Sequence, residues 1–308
     1  MIALGREEVA SLLDPSALVD AVATALADLS AGSASVPLRI AAFTPLGLLG
    51  AMVGYVPSLD VLAAKLVAVF PQNTAMPTHQ ALVAVFDPRS GAPVAILDGE
   101  EITAQRTAAA SALATRLLAR EDAEVLAIVG TGVQAASHAR YLVSTWKFRA
   151  VVVAGRNPAK AARLAAEIGG RAAGIDEAVR SADVICAATH AAEPVIRMEW
   201  LRPGTHLNSI GLNPQGRELD GIADALVAVE SRASAFAAPP AGANELRGLA
   251  PARAVELGEL LSGTRVGRTS REQITVYKSV GVAAEDAAAA ALVVRRARER
   301  GIGRTIDL

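Results

Sequence analysis

A glycine-containing run at residues 130–135 has the residue types and spacing of a phosphate-binding turn. It follows the pattern of a buried strand, opens a helical pattern and fits G-x-G-x-x-A with Gly130, Thr131, Gly132, Val133, Gln134 and Ala135. The first glycine permits a tight turn, the second lets the backbone approach a pyrophosphate, and the small last residue lets helix and strand pack closely. Amides at the helix N-terminus then face the phosphates. The run predicts a dinucleotide site, and a plain turn is the alternative.

The apolar run at residues 151–154 ends without the acidic residue that an NAD site places about 20 positions after the glycine turn. Gly155, Arg156 and Asn157 follow the run instead, and Lys160 stands just beyond them. Because a guanidinium group binds phosphate in a fork, Arg156 suits the 2′-phosphate of NADP(H). The segment predicts a preference for NADP(H) over NAD(H). The alternative is a solvated loop arginine.

Three cations in the first third of the chain are candidates for binding a small carboxylate. Lys65 stands inside the apolar run VLAAKLVAVF, where an unpaired ammonium group is costly to bury. The sequence offers no nearby carboxylate, so we expect a substrate carboxylate to pair with Lys65, and neighbouring arginines to lower its pKa. Arg106 begins an alanine-rich helical run, and Arg39 lies on a predicted strand. An edge strand whose lysine reaches water, and two surface arginines, are the alternatives.

Composition excludes several classes of partner. The net charge is −1 and the basic residues are scattered, which argues against nucleic acid. The apolar runs are far shorter than the roughly 20 residues of a membrane span, and the N-terminus has no signal-peptide pattern. The single cysteine, Cys186, fits a reducing cytoplasm, and the four dispersed histidines predict no metal site.

The pattern of apolar residues divides the chain into two regions that position these candidates. Asp14 and Pro15 predict the start of a helix that runs to Ser30, and short apolar runs between residues 36 and 98 predict an antiparallel sheet. From residue 124 onwards, strands alternate with helices, which predicts an α/β fold with a doubly wound, parallel Rossmann sheet. A long alanine-rich helix over 282–298 is expected to return to the first, α+β domain. The predicted domains are 1–118 with 282–308, and 119–281.

Five segments together resemble the ornithine cyclodeaminase/μ-crystallin family. They read KLVAVFPQN (65–73), DGEEITAQRTAAASALA (98–114), IVGTGVQA (128–135), GLNPQGRELD (211–220) and TVYKSVGVAAEDAA (275–288). The resemblance implies a homodimer joined through the first domains, which makes that domain the substrate-binding and dimerisation domain. It also implies that Arg39, Lys65 and Arg106 are the substrate-carboxylate and catalytic cations. Cofactor contacts are implied at Thr107, the turn 130–135, Arg156, Thr189 and Ser209, and Lys278 begins a segment implied to line the nicotinamide.

One departure from the family pattern concerns the reaction. Ornithine cyclodeaminases carry a catalytic aspartate in the segment where this chain reads Gly211-Leu212-Asn213-Pro214, and the resemblance leads us to expect Asn213 in its place. An amide cannot act as a general base near neutral pH, and Asn213 is left to orient a ligand or water, or to serve as a turn residue before proline. The resemblance then favours an NAD(P)-dependent oxidoreductase that reduces a small 2-imino or cyclic ketimine acid to an amino acid. An ornithine cyclodeaminase and a μ-crystallin-like NADPH-dependent binding protein are the alternatives.

Overall fold

The computed structural model describes residues 1–213, 215–222 and 224–307. Pro214, which ends the segment with the unexpected asparagine, lies outside the described residues. The chain forms two compact units, one of Met1–Arg106 with Gly281–Leu308 and the other of Thr107–Val280. We call them unit 1 and unit 2. The first division falls inside a helix, whereas the sequence pattern places a boundary at residue 118, near the end of that helix.

The strands form one sheet in each unit. In the described residues they are β1 (Ile2–Leu4), β2 (Ile40–Phe43), β3 (Leu48–Val56), β4 (Val61–Val69), β5 (His79–Phe86), β6 (Pro93–Asp98), β7 (Val125–Val129), β8 (Ala150–Ala154), β9 (Arg171–Ala172), β10 (Val184–Ala187), β11 (His206–Ser209), β12 (Leu226–Val229), β13 (Ala254–Glu256), β14 (Thr275–Lys278) and β15 (Arg304–Thr305).

Helices connect and cover these strands. In the described residues they are α1 (Arg6–Leu12), α2 (Pro15–Ser30), α3 (Gly99–Leu118), α4 (Val133–Thr145), α5 (Pro158–Glu167), α6 (Ile175–Ser181), α7 (Arg232–Ala235), α8 (Leu257–Ser262) and α9 (Ala283–Arg300). Asp14 caps α2 as predicted, because its carboxylate accepts the amide of Ala17 at 2.9 Å. No single described helix has the length and apolar character to cross a membrane; α1 and α2 reach that threshold only as a pair bent by 85°.

The seven-stranded sheet of unit 1 has the order β15-β1-β6-β5-β4-β3-β2. Neighbours from β2 to β6 are antiparallel as predicted, but β1 pairs with β6 in parallel, so the sheet is mixed. Arg39 was expected on a strand, and it instead precedes β2 directly. An isolated bridge joins Ser35 to Tyr55 of β3, and the regular ladder begins at Ile40, after Pro37, which has no amide to donate.

Helix α9 covers one face of the unit 1 sheet, and α2 packs on α9. The contact is close because the facing residues are small. A Cβ atom added to Gly54 of β3 would lie 3.3 Å from Ala283, at the start of α9. Alternate residues of β4 face this helix and are buried, among them Val61 and Ala63. The position of Lys65 on the same face follows from the two-residue repeat of a strand.

The eight-stranded sheet of unit 2 is parallel throughout, with the order β13-β12-β14-β11-β10-β7-β8-β9. The chain runs outward from β7 to β9 and then returns to β10 on the other side of β7. The order of strands therefore reverses between β7 and β10, where doubly wound sheets bind their ligands. The core consists almost wholly of alanine, valine, isoleucine and leucine, as the 3% aromatic content requires. The predicted Rossmann architecture is confirmed.

A buried polar cluster lies in the core of unit 2. His206 Nδ1 lies 2.9 Å from Thr275 Oγ1, and His206 Nε2 lies 3.3 Å from Asn208 Oδ1. Asn208 in turn donates to Thr115 Oγ1 at 3.0 Å. Burial, together with the nearby Arg268 guanidinium group, lowers the pKa of His206 to about 3. The imidazole is therefore neutral in the folded protein at neutral pH.

We expect His206 to make folding sensitive to acid. The unfolded chain protonates this histidine near its ordinary pKa of 6.5, whereas the folded chain keeps it neutral, so stability is fully present above 6.5 and is lost as the pH falls towards 3. Replacing His206→Gln should reduce the loss of unfolding free energy between about pH 7 and pH 4 by roughly 3 kcal/mol. Urea unfolding at several pH values measures this, with the exposed His190→Gln as control. An identical pH dependence in the unaltered protein and His206→Gln would contradict the prediction.

Candidate active site

Lys65 is buried at the centre of the unit 1 sheet. Strand β4 lies between β3 and β5, and Met52 and Val83 stand opposite Lys65 on those strands. Its ammonium group donates to Asp286 Oδ1 at 2.8 Å and to Thr103 Oγ1 at 3.3 Å, and the residue is only 3% exposed. The edge-strand alternative is therefore wrong, because β4 is an inner strand and α9 covers the lysine.

The sequence has no carboxylate close to Lys65 along the chain, but the fold supplies one. Asp286 is 221 positions away in the sequence, and the return of α9 to unit 1 brings the two side chains together. Burial lowers the pKa of Lys65 from 10.5 to about 8. Asp286 acts against this lowering, whereas Arg106 and Arg39 add to it. The expected direction is confirmed, with burial as the largest cause.

Arg106 is held by two consecutive acidic residues. Its Nε donates to Asp286 Oδ1 at 2.9 Å and its Nη1 donates to Glu285 Oε2 at 2.6 Å. Asp286 Oδ1 is therefore shared between the guanidinium group and the ammonium group of Lys65. Both acids stand in the first turn of α9, where the helix dipole favours negative charge. Arg106 itself is on α3 and is only 5% exposed, so the surface-arginine alternative is wrong for this residue.

Arg39 reaches the same end of α9 through a backbone contact. Its Nη2 donates to the carbonyl oxygen of Gly281 at 2.5 Å. Gly281 has a φ of +70°, and an added Cβ atom would lie 2.5 Å from Arg106 Nη1, so the position requires glycine. With Lys65 protonated, three cations face two carboxylates, which leaves this cation cluster with a net charge of +1. A single carboxylate ligand would neutralise it.

The glycine turn of unit 2 lies at the carboxyl end of β7. Gly130 has a φ of +132°, and a Cβ atom there would collide with the carbonyl oxygen of Ala188, which follows β10. Gly132 caps α4 without a side-chain hydrogen bond, and a Cβ atom added to it would meet no atom within 4 Å. Val133 begins the helix and is 74% exposed, whereas Ala135 is buried against Gly130. The open first turn fits a pyrophosphate group, because its amides have no capping side chain.

The end of β8 carries the residues predicted to meet a 2′-phosphate. Gly155 is crowded, since an added Cβ atom would lie 2.8 Å from Thr131 Cγ2. Asn157 caps α5, because its Oδ1 accepts the amide of Lys160 at 3.0 Å. Arg156 and Lys160 both point to the exposed surface. The structure thus places two exposed cations just beyond this strand, and it gives Asn157 the structural role of capping α5.

Glu218 joins the loops that follow β10 and β11. One carboxylate oxygen accepts both the amide and the hydroxyl of Thr189 at 2.8 Å. The other accepts the hydroxyl of Ser209 at 2.8 Å and the amide of Gly211 at 3.0 Å. Burial raises the pKa of Glu218, and the charge of Lys278 opposes that change. The carboxylate therefore brings together Thr189 and Ser209, the two predicted cofactor residues on these strand ends.

Lys278 is buried beneath the same loops. Its Nζ donates to Ser209 Oγ at 3.1 Å and to the carbonyl oxygen of Gly211 at 2.5 Å, and it lies 3.4 Å from Glu245 Oε2. The side chain is fully buried. The structure places this ammonium group inside unit 2, where it shares Ser209 with Glu218.

Both ends of the Asn213 side-chain amide make hydrogen bonds with backbone groups. Its Nδ2 donates to the carbonyl oxygen of Ala191 at 3.1 Å, and its Oδ1 accepts the amide of Gln215 at 3.0 Å. Its own carbonyl oxygen accepts Asn244 Nδ2 at 3.0 Å. This geometry favours the interpretation of Asn213 as a turn residue over that of a residue that orients a ligand.

The sequence analysis did not single out the buried acids Glu285, Asp286 and Glu230. Glu285 and Asp286 bind the cations of unit 1, and Glu230 accepts hydrogen bonds from Tyr277 and Ser279 around the segment predicted to line the nicotinamide. A signal for the first two was present. They open a run of alanines with no polar face, and a helix of that kind is buried on most sides, so acids within it require buried partners.

Thr107, Cys186 and the possible metal ligands complete the survey of predicted features. Thr107, a predicted cofactor contact, follows Arg106 on α3 and is 5% exposed. Cys186 is buried in β10. Across residues 1–213, 215–222 and 224–307, no three His, Cys, Asp or Glu side chains are grouped closely enough to hold a metal ion.

Known proteins similar to this chain match it over nearly its whole length. The Ornithine cyclodeaminase/mu-crystallin family profile matches residues 1–301. The Ketimine reductase mu-crystallin of Mus musculus is 40% identical over 304 residues, which covers 94% of this chain and 95% of the relative. The structure of Thermococcus litoralis Delta(1)-pyrroline-2-carboxylate reductase with NADH and L-proline has a TM-score of 0.92 and 32% identity, and covers 99% of this chain and 100% of that one. An archaeal alanine dehydrogenase dimer with bound NAD has a TM-score of 0.92 and 28% identity, with 100% and 99% covered. This chain therefore belongs to the ornithine cyclodeaminase/mu-crystallin family.

Proposed function

We propose that this chain is an NAD(P)-dependent oxidoreductase that reduces a small 2-imino or cyclic ketimine acid to an amino acid. The observation that carries the proposal is the buried Lys65, whose pKa is lowered to about 8, in a cluster with a net charge of +1. That charge suits a substrate with one carboxylate, and such a lysine suits proton transfer near neutral pH. The names of the relatives, a ketimine reductase and a pyrroline-2-carboxylate reductase, support the same substrate class.

In this reaction the cations of unit 1 would bind the substrate and supply a proton. Arg39 and Arg106 would hold the carboxylate, with the Arg106 guanidinium group already oriented by Glu285 and Asp286. Lys65 would donate its proton to the imine nitrogen as the carbon–nitrogen double bond is reduced. The glycine turn would hold the pyrophosphate of a reduced dinucleotide, which would supply the hydride that the imine carbon accepts. Because the cations are fixed before the substrate binds, they stabilise developing charge without reorganising.

Lys65 should be essential for turnover and dispensable for dinucleotide binding. With a panel of imino acids that includes pyrroline-2-carboxylate, Lys65→Ala should lower the rate of NADPH oxidation by at least about 100-fold, which is typical for loss of a general acid. Its affinity for NADPH should stay within about twofold, because the glycine turn lies in the other unit. Lys65→Arg should not restore activity, since a guanidinium group keeps its proton.

Absorbance at the NADPH band measures turnover, and fluorescence titration measures binding. Near-normal reduction by Lys65→Ala would contradict the catalytic role of this residue. Release of ammonia from ornithine by the unaltered protein, without net NADPH oxidation, would instead favour an ornithine cyclodeaminase. Tight binding of small carboxylates with no reduction of any imino acid would favour a binding protein.

We propose that NADP(H) is the preferred cofactor and that NAD(H) binds more weakly. The supporting observation is the exposed Arg156 at the end of β8, with Lys160 close by and no acidic residue to bind a ribose hydroxyl. No hydrogen bond or ion pair engages Arg156 within the part of the chain that the structure describes, so its guanidinium group is available to a phosphate. The two structural relatives above were solved with NADH and NAD, and this strand end is where cofactor choice is made in such folds.

Replacing Arg156→Ala should weaken NADPH far more than NADH. The loss of one charge-assisted contact corresponds to roughly 1.5–3 kcal/mol, or about a 10- to 100-fold rise in Kd for NADPH. The Kd for NADH should change by less than about threefold, because NADH has no 2′-phosphate. Arg163→Ala, on the exposed side of α5, is the control for a general loss of positive charge. Equal affinities of the unaltered protein for NADPH and NADH would contradict the proposal.

We propose that the protein forms a homodimer through the uncovered face of the unit 1 sheet. Alternate residues on β2 to β5 form this sheet face, and its large side chains are apolar and exposed: Ile40 (71%), Leu49 (49%), Val53 (43%), Leu66 (38%) and Leu82 (40%). Leu66 and Leu82 are directly opposite each other on neighbouring strands, so the surface is continuous. Exposed apolar patches of this kind mark association surfaces. The related alanine dehydrogenase is itself described as a dimer.

A charge placed at the centre of the sheet face should separate the subunits. The unaltered protein should sediment at about twice 31.6 kDa, and Leu66→Asp should sediment as a monomer because burying two carboxylates in an apolar interface is costly. Val266→Asp introduces the same charge at a 70% exposed valine of unit 2 and should leave the dimer intact. A monomeric unaltered protein at micromolar concentration, or a dimeric Leu66→Asp, would contradict the proposal.

A further inference from the structure

The carboxylate of Asp286 contacts two of the three cations of unit 1 through one oxygen atom. Its Oδ1 lies 2.8 Å from Lys65 Nζ and 2.9 Å from Arg106 Nε, and the residue is 1% exposed. Its Oδ2 is equally buried and accepts no hydrogen bond from any described residue. One oxygen of this carboxylate therefore accepts two hydrogen bonds, and the other accepts none from the described residues.

This arrangement is not what stability alone would favour. A buried acceptor that makes no hydrogen bond costs about 1–3 kcal/mol, and buried polar atoms in folded proteins are nearly all satisfied. Replacing a buried ion pair by apolar residues is often neutral or stabilising. Asp286 is therefore better explained by what it does to its two neighbours than by its contribution to folding.

The surroundings of Lys65 show what that effect is. Helix α3 presents Thr103 and Arg106 to the ammonium group, α9 presents Asp286, and Arg39 lies close enough to act on it electrostatically. On the neighbouring strands β3 and β5, the apolar residues Met52 and Val83 stand directly opposite Lys65. Glu285, the other acid, binds Arg106.

Among the described residues, Asp286 is the only acid in an ion pair with Lys65. Burial and two guanidinium groups all favour loss of the lysine proton, and Asp286 is the group that opposes them. Its own pKa is lowered despite burial, by Arg106 and Lys65, so it remains charged.

We propose that Asp286 is a positioning residue, which keeps the Lys65 ammonium group protonated and aligned with the Arg106 guanidinium group for the reduction proposed above. The link to reduction rests on the proposed function, whereas the effect on Lys65 does not. The shared Oδ1 fixes the distance between the proton donor and one of the two groups that would bind the substrate carboxylate. Removal of the charge should therefore change the protonation of Lys65 without removing either arginine.

Lysine NMR tests this effect without any substrate. The chain has four lysines, Lys65, Lys147, Lys160 and Lys278, so protein labelled with ¹³C at the lysine ε-carbon gives four signals, and Lys65→Ala identifies one of them. In the unaltered protein Lys65 should titrate near 8. In Asp286→Asn, which preserves the shape of the side chain, the pKa of Lys65 should fall by about 1 or more because only the opposing charge is lost.

Glu285→Gln is the matched control. It removes the neighbouring carboxylate on the same turn of α9, which binds Arg106, whereas the ion pair of Lys65 is with Asp286. The pKa of Lys65 should move less than half as far in this variant as in Asp286→Asn. An unchanged pKa in Asp286→Asn, or equal changes in the two variants, would overturn the proposal.

The stability of the variants supplies a second test if Asp286→Asn does not fold. The double variant Lys65→Met with Asp286→Asn removes both members of the pair. Recovery of the fold would show that the single variant failed because Lys65 was left without its anion, as proposed. Failure of the double variant as well would show that Asp286 serves the fold independently of Lys65, and would overturn the proposal.

Turnover of pyrroline-2-carboxylate with NADPH separates positioning from a merely structural role. The decline of kcat on the alkaline side should move to lower pH in Asp286→Asn by as much as the pKa of Lys65 moves, so that activity returns as the pH is lowered. The KM should change less than kcat, because Arg39 and Arg106 remain. A uniform loss of kcat at every pH would overturn the proposal. Absence of turnover with any imino acid would refute the proposed function and leave the lysine titration to decide the role of Asp286.

Discussion

The hydrogen bonds that Asp286 Oδ1 accepts from Lys65 and Arg106 connect three elements of unit 1 that are far apart in the chain. Lys65 comes from β4, Arg106 from α3 and Asp286 from α9. An ammonium group on the covered face of a sheet is tolerable only with an anion in reach, and the last helix supplies it. The requirement is met because α9 lies close to the sheet, with Gly54 against Ala283 and a run of alanines along the helix. Small residues are thus what allow a side chain as short as aspartate to reach the lysine.

Unit 2 uses buried carboxylates in a related way. Glu218 accepts hydrogen bonds from residues at the ends of β10 and β11. Glu230 accepts hydrogen bonds from the hydroxyls of Tyr277 and Ser279 and from the amide of Val280, at the end of β14. Each carboxylate accepts several hydrogen bonds, so loops at the edge where ligands bind are held by side chains. With aromatic residues at 3% of the chain, large rings contribute little to the ordering of these loops.

The two units carry complementary chemistry. Unit 1 concentrates fixed positive charge around a lysine with a lowered pKa, and unit 2 presents a glycine turn with open helix amides. Both features fit the family to which the chain belongs, because its members include a ketimine reductase and a Delta(1)-pyrroline-2-carboxylate reductase. The engagement of both ends of the Asn213 amide by backbone groups also fits reduction better than cyclodeamination, which would need a proton acceptor there.

Local patterns in the sequence were sufficient for most of the elements and for the dinucleotide turn. The apolar runs of β3 and β4, the cap at Asp14, and the glycines at 130 and 132 each depend on residues within a few positions of one another. The tertiary structure alone decided the partners of the charged residues. Lys65 and Asp286 are 221 positions apart, Arg106 and Asp286 are 180 apart, and Arg39 and Gly281 are 242 apart. Spacing carries no information about such contacts, because they depend on which helix packs on which face of the sheet. The sequence indicated that a buried Lys65 needs an anion. Only the packing of α9 on the sheet showed that the chain itself provides one, in Asp286.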